Sequence, residues 1–81
     1  MRIDKYLKVS RIIKRRTVAN DACDASHVSV NGRPAKASYD VKVGDEIAIS
    51  FGARVVRVRV RALLESTKKA DAVEMFEVIE S

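Results

Sequence analysis

The fold is decided by the stretch Val28-Ser29-Val30-Asn31-Gly32, which alternates apolar and polar residues and ends in an Asn-Gly pair. Alternation with a period of two predicts a β-strand with one buried face, and Asn-Gly is typical of a tight hairpin turn. Gly44-Asp45 marks a second turn, and Glu46–Phe51 is predicted to form the strand that follows it. This part of the chain therefore predicts a compact scaffold of short strands.

Two short helices are predicted in residues 2–26, upstream of that scaffold. The first covers residues 3–9, where Ile3, Tyr6 and Leu7 fall on one face at helical spacing. The second runs from about Arg16 to Ala25. Its predicted apolar stripe comprises Val18, Ala19, Ala22 and Cys23. Ala19 and Ala22 are small, so we expect the second helix to pack closely against a neighbour.

Downstream, residues 33–40 are predicted to be a polar link, and residues 55–61 a strand that follows a turn at 51–54. That strand alternates, with Val56, Val58 and Val60 inward and Arg57, Arg59 and Arg61 outward. Residues 65–73 are expected to be a loop or a helical turn, and residues 75–79 a final strand. The predicted fold class is α+β, two packed helices followed by a small, mostly antiparallel sheet. We expect one domain over residues 1–81, with a core motif at about 1–50 and a β extension at 51–81.

The residue inventory argues against an enzyme, a metal site and a membrane protein. With one His and one Cys, the chain lacks the ligand clusters of a zinc site, and its three glycines form no phosphate-binding loop. Cys23 lies on the apolar stripe of a helix, where a buried thiol is inert. No apolar run approaches the length that spans a bilayer, and a single Cys suits a reducing compartment, so a cytoplasmic protein without cofactors is expected.

Positive charge is concentrated at the start of the chain. The whole chain carries a net charge of +5, yet residues 1–20 alone carry seven basic residues and one acid. Basic side chains on short helices bind phosphates, and no helix rich in Asn, Gln and Arg is available to probe a DNA major groove. The sequence therefore predicts a surface for structured RNA. The candidate RNA-binding residues are Arg2, Lys5, Lys8, Arg11, Lys14, Arg15 and Arg16.

Charge further along the chain supports this interpretation less directly. Residues 65–81 carry a net charge of −3 and are expected to form a face turned away from the RNA. Arg57, Arg59 and Arg61 have two interpretations that the sequence leaves open. They form either a second RNA-binding patch or an exposed sheet face whose charge prevents edge pairing.

Four motifs in order resemble the S-four-type RNA-binding domain, a family named for protein four of the small ribosomal subunit. They are Arg2-Ile3-Asp4-x-x-Leu7, Arg16-Thr17-Val18-Ala19, Val28-Ser29-Val30-Asn31-Gly32 and Val41-Lys42-Val43-Gly44-Asp45-Glu46-Ile47. The resemblance covers about residues 1–50. It implies two packed helices and a small sheet, with Arg2 and Arg16 as the best RNA contacts. It also implies that Asp4 orients an arginine or caps the first helix. Ser26 departs from the family, because many members have Gly there.

Within that family the chain resembles the stand-alone bacterial group that acts in ribosome-associated quality control. This resemblance implies binding to large-subunit rRNA and to P-site tRNA or peptidyl-tRNA on the obstructed large ribosomal subunit. The factor would support alanine tailing by an RqcH-type partner, and a monomer is expected. One alternative is a general rRNA-binding, assembly or heat-shock recycling factor. An alternative of another class is a protein-interaction adaptor that uses the acidic residues 65–81.

Overall fold

Two helices precede a five-stranded sheet in the computed structural model, which describes residues 1–65 and 68–80. The helices and strands are α1 (Ile3–Val9), α2 (Arg16–Asp24), β1 (Val28–Val30), β2 (Arg33–Pro34), β3 (Glu46–Phe51), β4 (Arg54–Val60), α3 (Lys69–Ala72) and β5 (Phe76–Glu80). The strand order is β2-β1-β3-β4-β5, and every neighbouring pair is antiparallel. The predicted α+β class is therefore confirmed.

The core joins the helices to one face of the sheet. Its fully buried side chains include Ile3, Tyr6, Leu7, Val28, Ile47, Ile49, Val58 and Met75. The phenol of Tyr6 donates a hydrogen bond of 2.8 Å to the backbone oxygen of Met75, and burial raises its pKa. This bond satisfies the one polar atom of an otherwise apolar side chain and ties α1 to the residue before β5.

The Asn-Gly turn closes the β1–β2 hairpin as the sequence predicts. Asn31 and Gly32 both have positive φ, 52° and 85°, as a type I′ turn requires. The prediction of a polar link after this turn is wrong for its first two residues, since Arg33–Pro34 pairs with β1. Sequence patterning could not find a strand of two residues that contains proline, because proline lacks the N–H that a ladder uses.

Strand β4 has the predicted alternation. Val58 and Val60 are buried in the core, and Arg57 and Arg59 are exposed on the opposite face. The final strand begins at Phe76 rather than at residue 75. The helical alternative for residues 65–73 is confirmed at Lys69–Ala72, while Ser66 and Thr67 lie outside the described residues.

The predicted stripe of α2 is wrong at one position. Ala19 and Cys23 are buried, but Val18 is 49% exposed. The helix has only nine residues and contacts α1 and β1 along a narrow face, which small residues at i and i+4 are enough to fill. Val18 lies beside that face and therefore remains in solvent.

Helix α2 ends in a Schellman motif at Ser26. The Ser26 N–H donates to the Cys23 oxygen at 3.0 Å, and the His27 N–H donates to the Ala22 oxygen at 2.8 Å. Ser26 has a φ of 62°, so the chain adopts the left-handed cap that many family members form with glycine. A side chain in this region of φ costs about 1 kcal/mol or more.

We expect Ser26→Gly to raise the free energy of unfolding by about 0.5–1 kcal/mol, because glycine adopts this φ without strain while losing more chain entropy. Urea denaturation followed by circular dichroism measures the change. As the matched control, Ser29→Gly in β1 should destabilise by a similar amount, since the backbone there is extended. A Ser26→Gly protein less stable than wild type would contradict the strain argument.

Candidate RNA-binding surface

Helices α1 and α2 meet around the buried carboxylate of Asp4, which is 2% exposed. Arg2, the residue before α1, donates from Nε to Oδ1 and from Nη2 to Oδ2 of Asp4, each at 3.2 Å. Arg16, the first residue of α2, donates from Nη2 to Oδ1 at 3.4 Å. One carboxylate thus holds two arginines from two elements next to each other.

Two further donors complete the coordination of Asp4. The Asn20 amide donates from Nδ2 to Oδ2 at 3.4 Å, and the Lys5 backbone N–H donates to Oδ1 at 2.8 Å. Sequence analysis did not identify Asn20. The available signal is its spacing, four residues after Arg16, which places both side chains on one face of α2. We call Arg2, Asp4, Arg16 and Asn20 the Asp4 clamp.

The clamp keeps Asp4 ionised. Burial acts to raise the pKa of this carboxyl group. The hydrogen bonds from Asn20, Arg16 and the Lys5 N–H, together with the charge of Arg16, lower the pKa by more than burial raises it. The net result is a pKa below the ordinary 3.8. Among the described residues, every buried side-chain polar atom has a hydrogen-bond partner, so the clamp is a satisfied network.

We expect Asp4→Asn to lower the free energy of unfolding at pH 7 by about 1–3 kcal/mol, because it removes the charged acceptor of five N–H groups on four residues. The stabilisation from a lowered pKa is present above the unfolded pKa of about 3.9 and is lost as the pH falls through the folded value. The difference between wild type and variant should therefore shrink between pH 5 and pH 2. Urea denaturation across that range tests this, and a constant difference would contradict it.

A second basic group follows α1. Lys8, Val9, Arg11 and Lys14 line a depression that is open to solvent. Arg11 has a φ of 63°, a left-handed conformation that costs a long side chain about 1 kcal/mol. Arg15 is the residue before α2 and is exposed. The depression thus lies at the end of α1 and in the link to α2, whereas the Asp4 clamp joins the N-terminal ends of the two helices.

Lys5 pairs with an acid that lies outside the two helices. Its Nζ forms an ion pair with Glu65, a residue of the segment after β4. The side chain of Glu65 is exposed, and the hydrogen bond and charge of Lys5 lower its pKa. The prediction that the whole segment 65–81 faces away from the basic helices is therefore wrong at its first residue. Loop closure after β4 brings Glu65 back to α1, which the charge count could not reveal.

The arginines of the α1–α2 junction are suited to bind phosphate groups. The side chains of Arg2 and Arg16 are 50% and 47% exposed, and each guanidinium keeps N–H groups that do not point at Asp4. Fixing a flexible side chain before binding reduces the entropy lost on binding. The seven predicted RNA-binding residues all lie in or beside α1 and α2, and we call this region the helical surface.

The described residues give little support for a reactive cysteine, a metal site or a membrane span. Cys23 is buried, and burial with the charges of Asp4 and Asp24 raises its pKa to about 11, which disfavours the reactive thiolate. Within residues 1–65 and 68–80 no group of acids, His and Cys is arranged to hold a metal ion. No helix of this described part is long and apolar enough to cross a membrane.

Comparison with known proteins gives consistent matches. The S4 domain family matches residues 1–47. Over 79 residues the chain is 51% identical to the "RQC P-site tRNA stabilizing factor" of Bacillus subtilis, covering 98% of this chain and 92% of that protein. The protein of the same name from Streptococcus pneumoniae is 54% identical over 79 residues, covering 98% of this chain and 90% of that one.

A solved structure supports the fold independently. Heat shock protein 15 of Vibrio cholerae superposes with a TM-score of 0.89 at 24% identity, covering 96% of this chain and 80% of that one. The two proteins therefore share the same fold. Family match, relatives and fold agree: this chain belongs to the S4 domain family and, within it, to the group of RQC P-site tRNA stabilizing factors.

Proposed function

We propose that this chain is an RNA-binding factor of ribosome-associated quality control. It binds the obstructed large ribosomal subunit and stabilises P-site peptidyl-tRNA while the stalled nascent chain receives its C-terminal alanine tail. The observation that carries the proposal is the Asp4 clamp, which presents Arg2 and Arg16 side by side at the junction of two helices. The relatives that match nearly the whole chain are named for the same role, which supports the proposal.

The mechanism is one of binding and positioning. Arg2 and Arg16 donate to phosphate oxygens of folded RNA, and the cations of the adjoining depression add charge along the same backbone. Because Asp4 fixes the two guanidinium groups relative to each other, they recognise a particular spacing of phosphates rather than any polyanion. A tRNA held in this way dissociates less often from the P site.

The proposal extends to the activity, partners, location and oligomeric state of the factor. The factor is not an enzyme, contacts both large-subunit rRNA and P-site tRNA, and works with an RqcH-type factor in the cytoplasm. It acts as a monomer and as one domain over residues 1–81. All seven basic residues of the helical surface contact RNA, and Lys5 does so after Glu65 is displaced. A surface ion pair of this kind contributes little, so RNA phosphate can replace the Glu65 carboxylate.

Sucrose-gradient sedimentation from cells with stalled ribosomes tests the proposal. The tagged protein should co-migrate with large subunits that retain tRNA, and the tRNA content of those fractions should fall when the protein is absent. Migration with precursor subunits that lack tRNA would overturn the proposal in favour of an assembly factor. Protein at the top of the gradient, bound to a protein partner regardless of salt, would favour the adaptor.

A further inference from the structure

The β3–β4 hairpin carries an exposed aromatic residue beside an arginine. Phe51 and Arg54 are direct cross-strand partners that flank the turn, where Gly52 has a φ of 61°. Direct partners lie on the same face with their Cβ atoms about 5 Å apart. Phe51 is 43% exposed, whereas the other phenylalanine, Phe76, is partly buried against the core. The hairpin end thus exposes a ring and a guanidinium together.

The charge of this hairpin favours a polyanion. Residues 47–64 contain four arginines and no acidic residue. The structure separates the arginines that the sequence groups together, because Arg59 donates to Glu46 at 3.1 Å and lies 3.9 Å from Glu77. Arg59 is therefore part of an ion-pair network across β3, β4 and β5. Arg54 lies at the turn, exposed and beyond that network.

The hairpin end is separate from the helical surface. The N–H of Ser50, next to Phe51, donates to the His27 oxygen at 2.8 Å, so the hairpin end adjoins the C-terminal end of α2. Arg16 lies at the opposite end of this nine-residue helix, about 12 Å away along the axis. The exposed carboxylates of Asp21 and Asp24 lie between them on α2. A continuous RNA backbone track along the helix is therefore interrupted.

We propose that Phe51 and Arg54 form a second RNA-binding site, which takes an unpaired base against the ring and its phosphate on the guanidinium. Exposed aromatic rings stack on bases of any identity, and arginine adds charge and planarity. This inference rests on the proposed function. A factor that stabilises tRNA on a ribosomal subunit has to contact two RNAs, and the two ends of α2 then serve one RNA each.

Site-specific crosslinking identifies what this site touches. The full-length protein carrying the photoreactive analogue p-benzoylphenylalanine at position 51 is bound to large subunits with P-site tRNA and irradiated. We expect a crosslink to RNA that nuclease removes. The same analogue at the exposed Val73, in α3's C-terminal flank, should give no RNA crosslink. A crosslink to a ribosomal protein, or no crosslink from a bound complex, would overturn the inference.

Affinity measurements separate this site from the helical surface. Phe51→Ala should weaken binding to the same subunits by about fivefold or more, and Phe51→Trp should restore it because stacking is kept. Arg54→Gln should lower the slope of log affinity against log salt by about 0.7–0.9, the value for one phosphate contact. Arg59→Gln, the control within the same strand, should leave affinity and slope unchanged.

The two proposals fail in distinguishable ways. Wild-type affinity for Phe51→Ala and Arg54→Gln, with a loss for a charge reversal at Arg16, would overturn the second site and leave the proposed function standing. No specific binding by the wild-type protein to tRNA-bearing subunits would overturn both. Circular dichroism spectra of the hairpin variants check that β3 and β4 still pair.

Discussion

Arg16→Glu is expected to weaken binding to the large ribosomal subunit by about a hundredfold or more. The substitution removes a charge-assisted phosphate contact and places a carboxylate against the RNA backbone, and each of these effects is worth roughly tenfold or more. It also sets a second carboxylate beside Asp4, from which the Arg16 guanidinium lies 3.4 Å away. Like charges repel, so the clamp opens and Arg2 loses its fixed position.

The fold should survive this charge reversal. Arg16 is half exposed and is not part of the apolar core, so no cavity is created. As the first residue of α2, a glutamate gains a favourable interaction with the positive end of the helix dipole, which offsets part of the lost ion pair. We expect the free energy of unfolding to change by less than about 1–2 kcal/mol.

Co-sedimentation of the purified variant with tRNA-bearing large subunits measures the loss, beside circular dichroism for the fold. Lys69→Glu in α3 is the matched control, since it makes the same change of charge at an exposed site outside the helical surface. It should reduce affinity by less than about threefold, through the long-range field alone. A folded Arg16→Glu protein that binds at the wild-type level would mean that the helical surface does not face the RNA.

The parts of the fold that follow local patterns could be predicted from the sequence. Helix α1 and strand β3 were predictable because burial on one side imposes a periodicity that a short window reveals. The bounds of β2 and the exposure of Val18 were not predictable from the sequence. Both depend on which distant part of the chain packs against these residues. Tertiary context sets burial, and it overrides a local apolar stripe.

The candidate site, like the fold, has features that the sequence could predict and features that it could not. Charge density predicted the basic residues, since a surface that carries seven cations and one acid within twenty residues needs a counter-charged partner. The organisation of those cations was not predictable. Asn20 and Glu65 reach Asp4 and Lys5 from other elements, so each contact depends on how helices and loops pack. The same limit applies to Arg59, which the sequence grouped with Arg57 and the structure pairs with Glu46.

Val58→Asp is expected to unfold the protein at neutral pH. Val58 is fully buried, and its direct partners are Ile47 in β3 and Val78 in β5. An unpaired carboxylate in that position costs about 3–5 kcal/mol or more, in addition to the lost apolar contacts. A domain of this size has a total stability of about 4–12 kcal/mol, so the variant loses most of it.

Circular dichroism and urea denaturation measure the result against two matched variants. Val58→Ala keeps the site apolar and should cost only about 1–3 kcal/mol, the loss for a shortened core side chain. Arg57→Asp places the same carboxylate on the opposite, exposed face of β4, where it should cost less than about 1 kcal/mol. A folded Val58→Asp protein together with an unfolded Arg57→Asp protein would show that the two faces of β4 are reversed.

The carboxylate introduced by Val58→Asp should respond to pH in the opposite way to the Asp4 carboxylate, which stabilises the fold less as the pH falls. Burial raises the folded-state pKa of an unpaired carboxyl group, so protonation relieves its penalty and the variant gains stability relative to wild type as the pH falls. Asp4 is buried to a similar degree, yet its pKa is lowered because Arg16, Asn20 and the Lys5 N–H donate to it. The donors, rather than burial, decide whether a carboxylate in this core stabilises the fold. The clamp therefore needs both helices in place before Asp4 can hold the arginines for RNA.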